Sequence, residues 1–212
     1  MSRASGGAEA LLRDVVACPS LSGSEADVAE LLVRAMCVSA DEAFVDDVGN
    51  AVGRWGRGPL GVMFVGHLDT VPGHIAVRVQ DGVLWGRGSV DAKGSLCAAV
   101  VAASRLPAAV KGAVTLTVVG AVEEEAPSSR GARHLAAAYP RPDFLIIGEP
   151  SGWDRYTLGY KGRLTLRLSA GRASAHSARD EASAAELLLD AYAAIRSWVQ
   201  ADNGAVVGRA VV

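Results

Sequence analysis

Apolar residues recur along the chain with two periods, and the switches between those periods mark the elements. Leu11, Leu12, Val15 and Val16 fall at helical spacing over residues 8–17, and Cys18-Pro19-Ser20 ends that helix. Ser22-Gly23-Ser24-Glu25 carries a capping-box signal for a second helix, with Val28, Leu31, Leu32, Ala35 and Met36 on its apolar face. Short strands are expected over Ala43–Val45 and Asn50–Trp55. Val62 to Val65, bounded by Gly61 and Gly66, is a continuous apolar run of strand length. Ile75–Val79 and Val83–Trp85 flank Asp81-Gly82, a favoured hairpin turn. Gly94 to Leu106 reads as an Ala-rich helix, Ala113–Val119 as a buried strand, Arg130–Tyr139 as a helix and Phe144–Ile147 as a further strand.

Strands alternating with helices predict an α/β fold: a mostly parallel sheet flanked by helices on both faces, with ligands beyond the carboxyl ends of the strands. Past residue 155 the pattern changes. Tyr156–Ser169 reads as a long strand and Ala182–Gln200 as a helix with Leu187, Leu188, Ala191, Ile195 and Trp198 inward. Two domains follow, residues 1–155 and 156–212, the second a smaller α+β unit.

Half of the 212 residues are hydrophobic and 21% are charged, the balance of a soluble enzyme. A formal charge of −2 lacks the basic face that nucleic acid requires. No uncharged run reaches the roughly 20 residues of a membrane span, and the first residues show no secretory segment. Cys18, Cys37 and Cys97 show no C-x-x-C spacing and read as reduced, buried cysteines of a cytoplasmic protein.

Candidate chemistry sits where the chain leaves its strands. A spacing of two on extended chain sets His67 and Asp69 on one side, so Asp69 can hold one ring N–H while the other nitrogen faces a metal. Asp91 stands in Gly86-Arg87-Gly88-Ser89-Val90-Asp91-Ala92-Lys93-Gly94, just before the Ala-rich helix, a position that also suits an N-cap. This glycine-rich loop is no phosphate cradle: it lacks G-x-x-x-x-G-K, and Asp91 occupies the place of the third glycine in G-x-G-x-x-G. Glu123-Glu124-Glu125 follows one strand and Glu149 the next. Three adjacent acids repel one another unless a cation or solvent relieves them. One histidine with several carboxylates is a donor set for a hard or borderline divalent metal.

The run G-H-L-D-T-V-P, then G-R-G-x-x-D-x-K-G, then E-E-E, then G-E-P resembles the M20 family of dizinc amidohydrolases, in the family's order and spacing over residues 10–200. The resemblance implies a zinc-dependent hydrolase in which His67, Asp91 and Glu149 hold one zinc and Asp91 and Glu125 the other, Asp91 bridging, with Co2+ as an alternative metal. It makes Glu124 the general base, Asp69 the orienter of His67, and the Asp91–Ala92 bond cis. Gly171-x-x-x-x-His176-Ser177 matches the stretch where the family's dimerisation domain offers a histidine to the partner subunit's site, which implies a homodimer and an oxyanion-stabilising role for His176. His74 and His134 match no ligand position.

Within the family, G-A-V-E-E-E-A-P-S-S-R-G-A-R-H-L, I-G-E-P-S-G-W and L-G-Y-K-G-R resemble the branch that releases lysine or ornithine from the amino-group carrier protein LysW, in lysine and arginine biosynthesis. Acetylornithine deacetylase, or another acyl-amino-acid hydrolase, is the alternative within the family. Arg155, Lys161, Arg163 and Arg172 are the basic residues nearest the site in sequence, as a carrier-docking patch or an ordinary charged surface. Family members are much longer and supply a last histidine ligand from a returning segment, whereas no histidine follows His176 here. The expectation is therefore a C-terminally truncated chain with a half-built second metal site, and an inactive fragment is the reading from another class.

Overall fold

The computed structural model describes residues 5–152, 154–155, 157, 165–173 and 181–202. In chain order the elements are α1 (Ser5–Ala17), α2 (Ala26–Met36), β1 (Glu42–Val45), β2 (Ala51–Trp55), β3 (Leu60–His67), β4 (Arg78–Gln80), β5 (Val83–Trp85), α3 (Lys93–Ser104), α4 (Ala108–Ala113), β6 (Val114–Ala121), α5 (Arg130–Ala138), β7 (Phe144–Ile147) and α6 (Ala184–Asp202). Five strands form one sheet in the order β1-β2-β6-β3-β7. β6, β3 and β7 run parallel, and β2 and β1 add antiparallel at the β6 edge. β4 and β5 form a separate hairpin in which Asp81 and Gly82 both take positive φ, 53° and 76°, as a type I′ turn requires.

Period-two alternation divides the core between the two faces of the sheet. Ala51 and Val118 point to one face, where α1, α2 and α3 bring Val15, Val28, Leu32, Met36, Leu96 and Val100. Val52 and Val119 point to the other, against Leu135 of α5. The central β2 and β6 are thus covered on both faces, whereas all four residues of β7, Phe144–Ile147, are exposed. Glycine lets α3 come close: a Cβ on Gly66 would stand 3.3 Å from that of Leu96, and one on Gly120 only 3.0 Å from Leu96 Cδ2. Among the described residues no helix is long and apolar enough to cross a membrane.

Several local expectations differ from the structure. α4 fills a stretch expected to connect α3 to the next strand, with Pro107 at its N-cap. The Ser22–Glu25 capping box does not form: α2 starts at Ala26 without a side-chain cap bond, and Ser22 and Glu25 are bonded to other partners. Of the cysteines, Cys97 is buried, Cys18 half-buried and Cys37 exposed, and all three are free thiols. Burial pushes the Cys97 thiol up to about 12, so it is an inert core residue.

The chain divides into two compact units, Met1–Trp153 and Asp154–Val212. In the second, residues 165–170 have no regular structure, and the rest of the strand expected over Tyr156–Ser169 lies, apart from Thr157, outside the described residues. α6 confirms the helix. Leu188, Ala191 and Ile195 are half-buried, whereas Leu187 and Trp198, both expected inward, are exposed.

Close packing where α5 begins gives a direct test. A Cβ on Gly131 would lie 2.3 Å from Asn50 Oδ1 and 2.6 Å from Val122 N, atoms joined to each other by a hydrogen bond and unable to yield separately. Gly131→Ala should therefore destabilise by about 1–3 kcal/mol. Gly112→Ala, in α4 with nothing within 4 Å, should leave stability unchanged or raise it by up to about 1 kcal/mol. Urea unfolding midpoints of the two variants measure the difference.

Candidate metal centre

The sheet register brings the acidic residues together. His67 is the last residue of β3 and pairs with Ala121, the last of β6. One further bond, Leu68 N–H to the Ala121 carbonyl at 2.8 Å, holds the two strands as they separate. Glu123, Glu124 and Glu125 follow β6 directly. Beside β3, Gly148 N–H donates to the Val65 carbonyl at 2.8 Å and carries β7 on to Glu149. Asp91 stands just before α3, and its peptide with Ala92 is cis, as the resemblance implies. Ala92, not Asp91, is the N-cap of α3 and makes no side-chain cap bond, so the Asp91 carboxylate is free for another role.

That carboxylate faces His67, whose Nε2 lies 3.1 Å from Asp91 Oδ1, 3.8 Å from Glu149 Oε1 and 4.0 Å from Glu124 Oε2. His67 is 1% exposed. Among the described residues, two sets offer donor atoms all within 4.8 Å of one another: His67, Asp91 and Glu149, and His67, Glu124 and Glu125. The first matches the ligand set implied for one zinc. His67 joins the second set too, although one imidazole nitrogen binds one ion. Glu123, the remaining acid of the run, turns away: its carboxylate meets Arg130 Nε at 2.7 Å and accepts from the Ser128 hydroxyl.

The other ring nitrogen of His67 is fixed by Asp69, chiefly through the backbone. Nδ1 lies 2.9 Å from the Asp69 carbonyl oxygen and 3.4 Å from the carboxylate. The shorter contact is the hydrogen bond, and either leaves Nε2 aimed at the acids. The Asp69 carboxylate, fully buried, accepts instead from Ser22 Oγ at 2.7 Å and from the backbone N–H groups of Glu124 and Glu125 at 3.0 Å each. Asp69 therefore orients both the imidazole and the acidic turn. Ser22 was hidden behind its capping-box signal, and only its distance to Asp69 in space reveals its use.

Crowding marks the electrostatics. Burial pushes the Asp69 carboxyl up, but the neighbouring His67 imidazole and the hydrogen bonds from Ser22, Glu124 and Glu125 outweigh it and hold it at about 2. Burial raises Glu125, reinforced by the charge of Asp91, and raises Glu149, reinforced by Glu124 and Asp91. Burial lowers His67, but Asp69, Asp91 and Glu149 lift it to about 9. Without a metal, the imidazole is the cation these acids share. A divalent ion fits such a set: hard oxygen donors with one nitrogen, mutually repelling unless a positive charge stands among them.

A cleft of about 200 Å³ opens beside the centre, lined by Thr70, Val71, Ile75 and the loop from Gly86 to Asp91, with Glu125 at its wall. Lys93, 1% exposed, anchors that loop by donating from Nζ to the Cys18 carbonyl at 2.8 Å. His176 lies outside the described residues, as do Lys161 and Arg163. Of the remaining basic residues, Arg155 is 3.5 Å from Asp154 and Arg172 is 3.1 Å from Glu181. His74 is exposed and His134 sits 3.7 Å from Asp46, neither of them at the centre.

Residues 63–207 match the model of peptidase family M20/M25/M40. The chain is 50% identical over 202 residues to a LysW-lysine hydrolase of Deinococcus radiodurans, covering 93% of this chain and 56% of that protein. It is 41% identical over 201 residues to a putative LysW-lysine/LysW-ornithine hydrolase of Thermococcus kodakarensis, covering 94% and 55%. The chain thus spans about half the length of the curated relatives it matches. Among solved structures, aminopeptidase PepT of Bacillus cereus shares the fold with a TM-score of 0.56 at 20% identity, over 68% of this chain and 43% of that one. Motifs, sheet topology and family match agree, and the chain belongs to peptidase family M20/M25/M40.

Proposed function

We propose that the chain carries the metal centre of a zinc-dependent amide hydrolase that releases lysine or ornithine from a LysW-type carrier protein. One observation supports the chemistry above the rest: at the carboxyl ends of parallel strands His67 stands within 4.8 Å of donor atoms of Asp91 and Glu149 in one set and of Glu124 and Glu125 in another. The substrate class comes from the relatives' names and the identity shared with them. A homodimer, a cytoplasmic location and an oxyanion contact from His176 belong to the same proposal.

His67, Asp91 and Glu149 would hold one zinc, and Asp91 and Glu125 a second, with Asp91 shared; Co2+ is the alternative metal. When bound, the metal would polarise the scissile amide carbonyl and acidify a water molecule. Glu124, half exposed and 4.0 Å from His67 Nε2, would take the proton of the attacking water on a carboxylate oxygen and pass it to the leaving amine. Asp69 keeps His67 Nε2 directed at the centre and holds the peptide groups of Glu124 and Glu125 in place. The carboxyl group released is that of the carrier's glutamate, and the amine is the amino acid.

Metal binding should depend on pH through His67. Its raised pKa means the metal-free imidazole is protonated at neutral pH, and zinc must displace that proton. Zinc affinity should rise by up to about tenfold per pH unit from about pH 6 and level off above about pH 9. Calorimetry in two buffers of different ionisation enthalpy should count about one proton released per zinc at pH 7. Zinc binding without proton release would contradict the assignment of His67.

The two inward acids should separate in mutants of the chain extended by the remaining residues of the Deinococcus relative. Glu124→Gln should keep zinc but lose about 10²–10⁴-fold in turnover, because it removes the proton acceptor alone. Glu125→Gln should lower zinc occupancy instead. Exchanged phenotypes would move the base by one residue.

The same extended chain, given carrier-linked lysine and N-acetylornithine side by side, tests the substrate. The conjugate should be strongly preferred, and added salt should weaken that preference if charged surfaces steer the carrier. Equal or faster release of acetate would assign the chain to the acyl-amino-acid hydrolases.

A further inference from the structure

The turn that presents the acids is gripped at three consecutive peptide groups. Glu124 and Glu125 donate their N–H groups to Asp69, and Glu123 donates its own to Oε1 of Glu25 at 3.0 Å. The same oxygen accepts the Gly23 N–H at 2.9 Å. Glu25 is 3% exposed and makes no cap bond to α2, although it stands immediately before that helix. A carboxylate taken so far out of water requires hydrogen-bond donors, and two backbone N–H groups supply them.

The conformation of Glu123 gives that bond its significance. Its φ is +55°, a left-handed backbone that a residue with a side chain adopts only where its surroundings hold it. The reversal sends the Glu123 side chain outward to Arg130 and Ser128, while the next two acids face the His67 side. Arg130 and Ser128 hold the side chain of Glu123. Glu25 holds its peptide N–H, at one end of the N–Cα bond about which φ turns.

We infer that Glu25 is a positioning residue for the acidic centre: its buried carboxylate fixes the Glu123 peptide and so aims Glu124 and Glu125. Together with Ser22, which bonds the Asp69 carboxylate, it makes the Ser22–Glu25 segment a brace beneath the centre. The consequence for metal binding rests on the proposed zinc site, whereas the aiming of the turn does not.

Three variants of the full chain test this by amide hydrogen exchange. Glu25→Ala removes the acceptor, Glu25→Gln keeps an acceptor oxygen without the charge, and Leu32→Ala empties a buried position on α2, away from the turn. Glu25→Ala should speed exchange at Glu123–Glu125 by about tenfold or more beyond any global effect, and Glu25→Gln should restore it to within about threefold of wild type. Leu32→Ala should lower the melting temperature and leave local exchange at the turn unchanged relative to the rest of the chain. Zinc affinity should fall about tenfold in Glu25→Ala and recover in Glu25→Gln. Equal exchange at the turn in Glu25→Ala and Leu32→Ala, or no rescue by glutamine, would overturn the inference. A wild-type chain that binds no zinc would overturn the metal proposal instead, and the exchange comparison would still decide the role of Glu25.

Discussion

Five carboxylates gather around one imidazole, and Coulomb repulsion would scatter them if the backbone did not hold them. The bonds to Asp69 are where that holding concentrates. Its carboxylate takes donors from Ser22 before α2 and from two peptides after β6, while its carbonyl takes the His67 ring. Three segments distant in sequence therefore meet on one buried side chain. Each bond is a charge-assisted contact in a dry setting, where leaving a partner out is more expensive than in water. The sheet brings the strand ends near one another, and Asp69 decides which way the side chains beyond them turn.

Much of this arrangement was legible in the sequence because periodicity and strand-end position are local properties. The apolar run at Val62–Val65 and the hairpin turn at Asp81-Gly82 needed only their own neighbours to be read. His67, Asp91, the acidic run and Glu149 stood out because charge at the end of a buried strand has few structural uses. What failed was non-local. Ser22 and Glu25 have the spacing of a capping box, and local rules assign them to α2, but partners at residues 69 and 123 compete for both side chains and win. Trp198 and Leu187 follow helical periodicity on α6 yet are exposed, because a period identifies an apolar stripe without identifying what covers it.

The run of three glutamates shows how backbone conformation resolves an ambiguity that composition leaves open. Any two of the three could have faced His67. The left-handed Glu123 breaks the alternation, and Arg130, the first residue of α5, claims its side chain. A single peptide geometry thus separates an ion pair with Arg130 from two acids that face His67, only one residue away.

The donors of the centre come from the end of β3, the loop before α3, the turn after β6 and the end of β7. No short peptide contains them all, so an unfolded chain has nothing comparable to offer an ion. A cation held by His67, Asp91 and Glu149 would act as a cross-link among three of these parts of the fold, and its binding energy would add to the free energy of unfolding. At a free concentration 100-fold above its dissociation constant, that addition is about 2.7 kcal/mol, a sizeable share of the few kcal/mol that keep a domain folded. A chelator would then act on this protein as a denaturant does, lowering the melting temperature of strands that never touch the ion.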